Sequence, residues 1–182
     1  MTKGIYLTAI VLLTSIGASA QKKILFVMSA AKELELKNGK TYSETGVFLS
    51  EFYLAYKAIE RSGYNVDFAT PNGIISSIDK KSFEKKYWKG GDMLTAEATT
   101  FIKENVEFNK PLTLERAVEN RADYSGLVIP GGQGLMVDLF FDVNVSKLLK
   151  HFSNNGKPIG LICHAPALIL SIQKEKNPFV GY

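Results

Sequence analysis

Thiols are almost absent from this chain, whose 182 residues contain a single cysteine, Cys163. An internal disulfide is therefore excluded, and the thiol must be buried, paired outside the chain, or used. Long apolar runs are equally scarce. The stretch Ile5 to Leu13 is shorter than the roughly 20 residues a bilayer core requires, and no stop-transfer charges follow it, so a membrane anchor is not expected. With Lys3 ahead of it and Ala18-Ser19-Ala20 before Gln21, the first twenty residues read as a cleaved signal peptide. The expected destination is outside the cytoplasm, periplasmic or secreted, with no membrane attachment after cleavage. No cysteine lies near Gln21, so lipid attachment there is excluded. Blocks of one charge are missing too. The net charge of +4 is spread among interspersed Lys, Arg, Asp and Glu, which leaves no nucleic-acid patch. Neither an internal repeat nor a low-complexity segment is present.

What remains is a chain 46% hydrophobic, enough for one core and one domain, residues 21–182. Lys23 to Met28 (KILFVM) is apolar on both faces, as a central parallel strand should be, and it opens into a polar loop, Ser29 to Glu44. A helix is predicted from about Gly46 to Ser62, stopped by Gly63. At 100° per residue, Glu51 falls among Val47, Leu54, Ala55, Ala58 and Ser62, in the middle of a small apolar face opposite Leu49, Tyr53 and Glu60. A carboxylate there is costly unless hydrogen-bonded or protonated. The alternative is that it helps the helix dipole from near the first turn and bends out to solvent.

Tyr64 to Ala69 alternates as a second strand ending at the turn Pro71-Asn72-Gly73. Ile74 to Gly91 is irregular and is expected to cover the sheet. Asp92 is the expected cap of a helix from Met93 to Glu104, and Thr113 that of a short helix, Leu114 to Asn120. Gly126 to Pro130 is a third strand running into Gly131-Gly132-Gln133-Gly134 and a short helical piece, Leu135 to Leu139. Such a turn exposes N–H groups that can hold an oxyanion, but it lacks the ending of a phosphate-binding loop, so a nucleotide is not expected. Asn144 to Asn155 is amphipathic, with Val145, Leu148, Leu149 and Phe152 inward and His151 a surface or packing residue.

The stretch Gly156 to Ile172 organises the rest. Pro158 to Ile162 reads as a buried strand and Ala165 to Ile172 as a helix behind an early proline, which puts Cys163 at a strand-to-helix corner. There the helix N–H groups favour an anion, so the thiol is expected to ionise more readily than a free one. A lone cysteine in an apolar run is often simply buried. The adjacent His164 and the small Ala165 favour use over burial. Strands alternating with helices give a doubly wound sheet, and three features meet at its carboxyl edge: the loop after Met28, the turn after Pro130, and the corner at Cys163.

Taken in order, Thr45-Gly46 with Glu51, Gly63-Tyr64 through Gly73, Asp123-Tyr124, Gly131-Gly132-x-Gly134-x-x-x-Asp138-Leu139, and Gly156-Lys157-Pro158 to Cys163-His164-x-Pro166 resemble the ThiJ/PfpI superfamily, in particular its glyoxalase III and heat-shock-chaperone-like group. The resemblance covers Lys23 to the end. It implies a three-layer, doubly wound, mainly parallel α/β sheet of flavodoxin-like, class I glutamine amidotransferase-like type. It further implies a thiol enzyme with no cofactor and no metal, acting on a small carbonyl substrate such as methylglyoxal and forming a homodimer. Cys163 would be the nucleophile, Glu51 its acid/base partner and His164 a proton carrier. Gly131, Gly132 and Gln133, with the His164 N–H, would form the oxyanion and substrate site. Gln133 stands where this group commonly has His, and Ala165 where it has Gly. The group continues beyond Tyr182 with further strands and an acid that orients the histidine, so C-terminal elements are expected to be missing. Glu175 lies twelve positions past Cys163, about 18 Å along a helix, too far to orient His164. A holding chaperone, an amidase or peptidase, and an inactive fragment are the other readings the resemblance allows.

Overall fold

The computed structural model describes residues 22–172, so the leader and Glu175 lie outside the described residues. The apolar run after Lys22 forms β1 (Lys23–Val27), whose alternate side chains supply both cores of the molecule. Leu25 and Val27 face one layer, while Ile24, Phe26 and Met28 face the other, all nearly inaccessible to solvent. A strand apolar on both faces can sit only between two layers, and β1 is the middle strand of five.

The segment expected to be a plain polar loop contains an antiparallel hairpin, β2 (Glu33–Glu35) with β3 (Thr41–Ser43). Its strands are short and polar and gave no apolar alternation. The signal was the turn, Asn38-Gly39, with Gly39 at φ +73° in the left-handed region that such a hairpin requires.

Helix α1 (Leu49–Arg61) is followed by Gly63 at φ +81°, the expected terminating glycine. Its buried face differs from the expected one. Leu49, Ser50, Phe52 and Tyr53 pack inward, whereas Leu54 is 46% exposed and Ala58 and Ser62 are also exposed. Aromatic area decides the orientation: Phe52 meets Phe26, Phe68, Phe101 and Phe108 at ring separations of 5.3–5.9 Å, a burial small side chains cannot match. Glu51 therefore lies at the margin of the buried face.

After β4 (Asn65–Thr70) the chain wraps as a cover with two single-turn 3-10 segments, Lys80–Phe83 and Lys85–Tyr87. Trp88 anchors it, donating its indole N–H to the Ser82 carbonyl at 2.7 Å. Then come α2 (Gly91–Glu104), α3 (Val106–Asn109), a two-residue β5 (Leu112–Thr113) and α4 (Leu114–Glu119). Asp92 is in the first turn of α2 and pairs with Lys85; Gly90, not Asp92, holds the cap position. Thr113 caps α4 as expected, accepting from the Arg116 N–H at 3.1 Å.

The last elements are β6 (Tyr124–Ile129), α5 (Leu135–Asp138), α6 (Val143–Asn154) and β7 (Ile159–Leu161). All four inward positions expected on α6 are buried. The sheet runs β5-β4-β1-β6-β7, every pair parallel, with α1 to α3 on one face and α4 and α6 on the other. This is the mainly parallel, flavodoxin-like α/β architecture.

Candidate active site

Cys163 terminates the β7 segment with φ +58°, a left-handed conformation that a side-chain-bearing residue adopts only under strain. The strain turns the sulfur out at the carboxyl edge of the sheet, and Cys163 is solvent-exposed rather than a packing residue. Ala165 behind it is fully buried, which explains the small residue there. The segment that follows, Ala165–Ser171, is a 3-10 helix, narrower than the α-helix expected behind the early proline.

The backbone N–H groups of His164 and Gly132 lie near the sulfur and favour its thiolate. The sequence led us to expect an unusually acidic thiol, yet the balance is the reverse. Burial pushes the Cys163 thiol up, and the Glu51 carboxyl beside it pushes further in the same direction, outweighing both N–H groups. Burial likewise raises the Glu51 carboxyl, while Cys163, His164 and the Gly131 N–H oppose the rise. The two acids lie together beside the glycine turn, and a charge on Glu51 opposes ionisation of the thiol.

Gly131 makes that proximity possible. A Cβ at this position would collide with Glu51 Oε2 and come within 2.5 Å of the Cys163 Cβ. Gly132 has φ +115° and a Cβ there would strike the Gly46 carbonyl and the Phe48 N–H, while the Gly131 carbonyl accepts from that same Phe48 N–H at 3.0 Å. The glycine turn is thus pressed against the lead-in to α1, and this is how Glu51 reaches the thiol. Replacing Gly132 by Ala should destabilise the fold by about 1–3 kcal/mol, from a left-handed side-chain-bearing residue plus the clash, read as a lower denaturant midpoint. Asp138, on α5, fixes the other side by accepting from the Ala30 N–H at 2.7 Å.

One oxygen of Glu51, Oε2, is buried with no hydrogen-bond partner. Such an atom is costly unless something arrives to meet it. His164 is exposed, with Nδ1 3.0 Å from Sγ of Cys163; among the described residues no side chain engages its other ring nitrogen. Gln133 lies at the same cleft with its side chain in solvent. The cleft holds about 370 Å³ and brings all of Cys163, His164, Glu51, Gly132 and Gln133 together, with Gly131 beneath. Sequence reasoning missed the opposite wall, made by Tyr42 of β3, Phe48, and Asp79, Lys81 and Tyr87 of the cover. These belong to the segments with the weakest periodicity, and the Asn38-Gly39 hairpin turn was the available hint. No group of side chains suited to a metal ion occurs among the described residues.

A family model described as DJ-1/PfpI matches residues 40–176, from the hairpin through the elbow. The chain belongs to the DJ-1/PfpI family. Within reach of that family, it is 29% identical over 166 residues to a protein named "Protein/nucleic acid deglycase HchA" from Staphylococcus aureus strain bovine RF122 / ET3-1. The match takes in 88% of this chain and 54% of the relative, so the chain spans about half the length of the curated relatives it matches. Two solved structures share the fold. Rapid Encystment Protein 24 KDa from Francisella tularensis superposes with a TM-score of 0.68 at 20% identity, covering 88% of this chain and 67% of the other. Glyoxalase III from Candida albicans gives 0.63 at 22%, covering 88% and 63%.

Proposed function

We propose that the chain is a carbonyl-processing thiol enzyme that converts methylglyoxal to lactate without glutathione. The observation that carries this reading is the Glu51 carboxyl packed against the Cys163 thiol with one oxygen buried and unpartnered, beside two N–H groups near the sulfur. That arrangement supplies a nucleophile, a base and an anion site within one reacting radius.

The steps follow from those positions. The Cys163 proton passes to His164, whose Nδ1 lies 3.0 Å from the sulfur, as the sulfur adds to the aldehyde carbon, and the carbonyl π pair becomes an oxyanion facing the Gly132 and His164 N–H groups. The Glu51 carboxylate then removes the hydrogen from the former aldehyde carbon as a proton and returns it to the neighbouring carbon, His164 delivers the former thiol proton to the ketone oxygen, which becomes the hydroxyl, and the oxyanion closes to the carbonyl of a thioester on Cys163. Water cleaves the thioester to lactate and restores the thiol. The sum is methylglyoxal plus water to lactate, with the oxidation of one carbon balanced by the reduction of its neighbour.

The names carried by relatives support carbonyl chemistry of this kind. The cleft, larger than a small dicarbonyl fills, also admits a carbonyl adduct on an amine or thiol, which favours removal of such adducts as a second reading. The test is lactate formation from methylglyoxal in glutathione-free buffer. Steady turnover is expected; a folded chain that makes no lactate yet suppresses aggregation of an unfolded client would replace the enzyme with a holding chaperone. Export through residues 1–20 is part of the proposal, and a processed chain beginning at Gln21 in the exported fraction is the expected observation.

A further inference from the structure

The cleft that holds Cys163 is lined by a cation with no ion-pair partner among the described residues. The cover segment has five lysines, Lys80, Lys81, Lys85, Lys86 and Lys89. Three are paired with carboxylates: Lys80 with Glu44 at 2.9 Å, Lys85 with Asp92 at 2.9 Å, and Lys86 with Glu84 at 2.6 Å. Neither Lys81 nor Lys89 has a carboxylate within ion-pair distance among the described residues, and of the five only Lys81 lines the cleft. Its ammonium lies 5.0 Å from the centre of the Tyr42 ring.

Its backbone is fixed as well. Asp79 is 4% exposed, and its Oδ1 accepts both the Lys81 N–H at 2.9 Å and the Tyr42 hydroxyl at 3.4 Å. Asp79 therefore ties together the two residues that hold the ammonium at the cleft. The acidic groups facing this space are Asp79, already engaged by two donors, and Glu51, on the floor beside the thiol. A cation set on an aromatic ring across from a nucleophile, in a space larger than a small dicarbonyl needs, has the form of an anchor for a distal anionic group.

We propose that Lys81 binds the carboxylate or phosphate of an anionic carbonyl compound whose aldehyde end reaches Cys163, making Lys81 a specificity-determining residue. This rests on the carbonyl-processing reading of the site. The natural substrate class would then be acidic 2-oxoaldehydes, or carbonyl adducts bearing a free carboxylate or phosphate, with methylglyoxal a truncated member.

The experiment compares kcat/KM for 4,5-dioxopentanoate, a 2-oxoaldehyde with a distal carboxylate, against methylglyoxal, in wild type, Lys81→Met and Lys81→Arg. The ratio of the two should favour the anionic substrate in wild type, fall about tenfold in Lys81→Met and be largely kept in Lys81→Arg, as for loss of one charge-assisted contact. Binding is read separately by calorimetry on Cys163→Ser, with succinate as the carboxylate probe and glycerol 3-phosphate as the phosphate probe, with and without Lys81→Met. Binding of at least one probe that is lost with Lys81 supports the anchor and identifies the group, even if neither aldehyde is turned over, in which case only the enzymatic reading fails. A substrate ratio unchanged by Lys81→Met, or no Lys81-dependent binding of either probe, overturns the proposal.

Discussion

Cys163→Ser is expected to abolish lactate formation from methylglyoxal, a loss of roughly 10⁴-fold or more, as when the covalent nucleophile of other enzymes is removed. The physical reason is specific to this corner. A serine hydroxyl is far less acidic than a thiol, and the groups within reach, the Glu51 carboxyl and the His164 ring, would have to remove its proton beside a carboxyl that already resists added charge. Folding should be kept, since the exposed sulfur contributes little packing. Turnover and thermal unfolding measured on the same preparation separate the two effects. Wild-type rates in the variant would mean that the chemistry lies elsewhere.

Glu51→Gln is expected to lower turnover by roughly 10²–10⁴-fold, the range for a positioned acid/base group. Two further outcomes run in the opposite direction. The Glu51 carboxyl is raised by burial, so it contributes stability that is fully present below its unfolded value of about 4.3 and lost as pH rises through the higher folded value. Once ionised the group is a burden, and glutamine should stabilise the protein at pH 7, with the gain disappearing below about pH 4. Denaturant unfolding at pH 7 and at pH 3.5 checks both halves. A variant that is more stable and less active would identify Glu51 as a residue held in place for chemistry.

The parallel sheet and its edge were legible because their signals are strong and local. ILFVM, after Lys23, is apolar at every position and must be central; Gly63 and Thr113 mark helix ends through backbone conformation and capping; the amphipathic period of α6 placed all four of its core residues. The meeting of Cys163 and the glycine turn followed from strand ends sharing one edge, whereas Glu51 as the partner of Cys163 came from the resemblance. The orientation of α1 was not legible. Its turn-by-turn pattern offers two candidate faces, and the aromatic cluster of Phe26, Phe68, Phe101 and Phe108, drawn from four separate elements, selects the one that receives Phe52.

The thiol's acidity was misread for a related reason. Donors from a following helix can be anticipated from the strand-to-helix corner, whereas a carboxyl brought against the sulfur by α1 is a tertiary contact with the opposite sign. The far wall of the cleft was invisible because Tyr42, Asp79, Lys81 and Tyr87 lie in short polar strands and single 3-10 turns, which have no hydrophobic period. Those segments also place Lys81, which has no ion pair among the described residues, at the cleft.

The claim on which the account turns is that Glu51 and Cys163 share one protonation equilibrium. The rate of Cys163 alkylation by iodoacetamide, followed across pH in wild type and in Glu51→Gln, tests it without reference to any substrate. Removing the carboxyl takes away both its charge and its hold on the thiol proton, so the midpoint should move to lower pH in Glu51→Gln and alkylation at neutral pH should speed up, although turnover falls. A midpoint that stays where it is in wild type, or moves to higher pH, would contradict the coupling and with it the acid/base role given to Glu51.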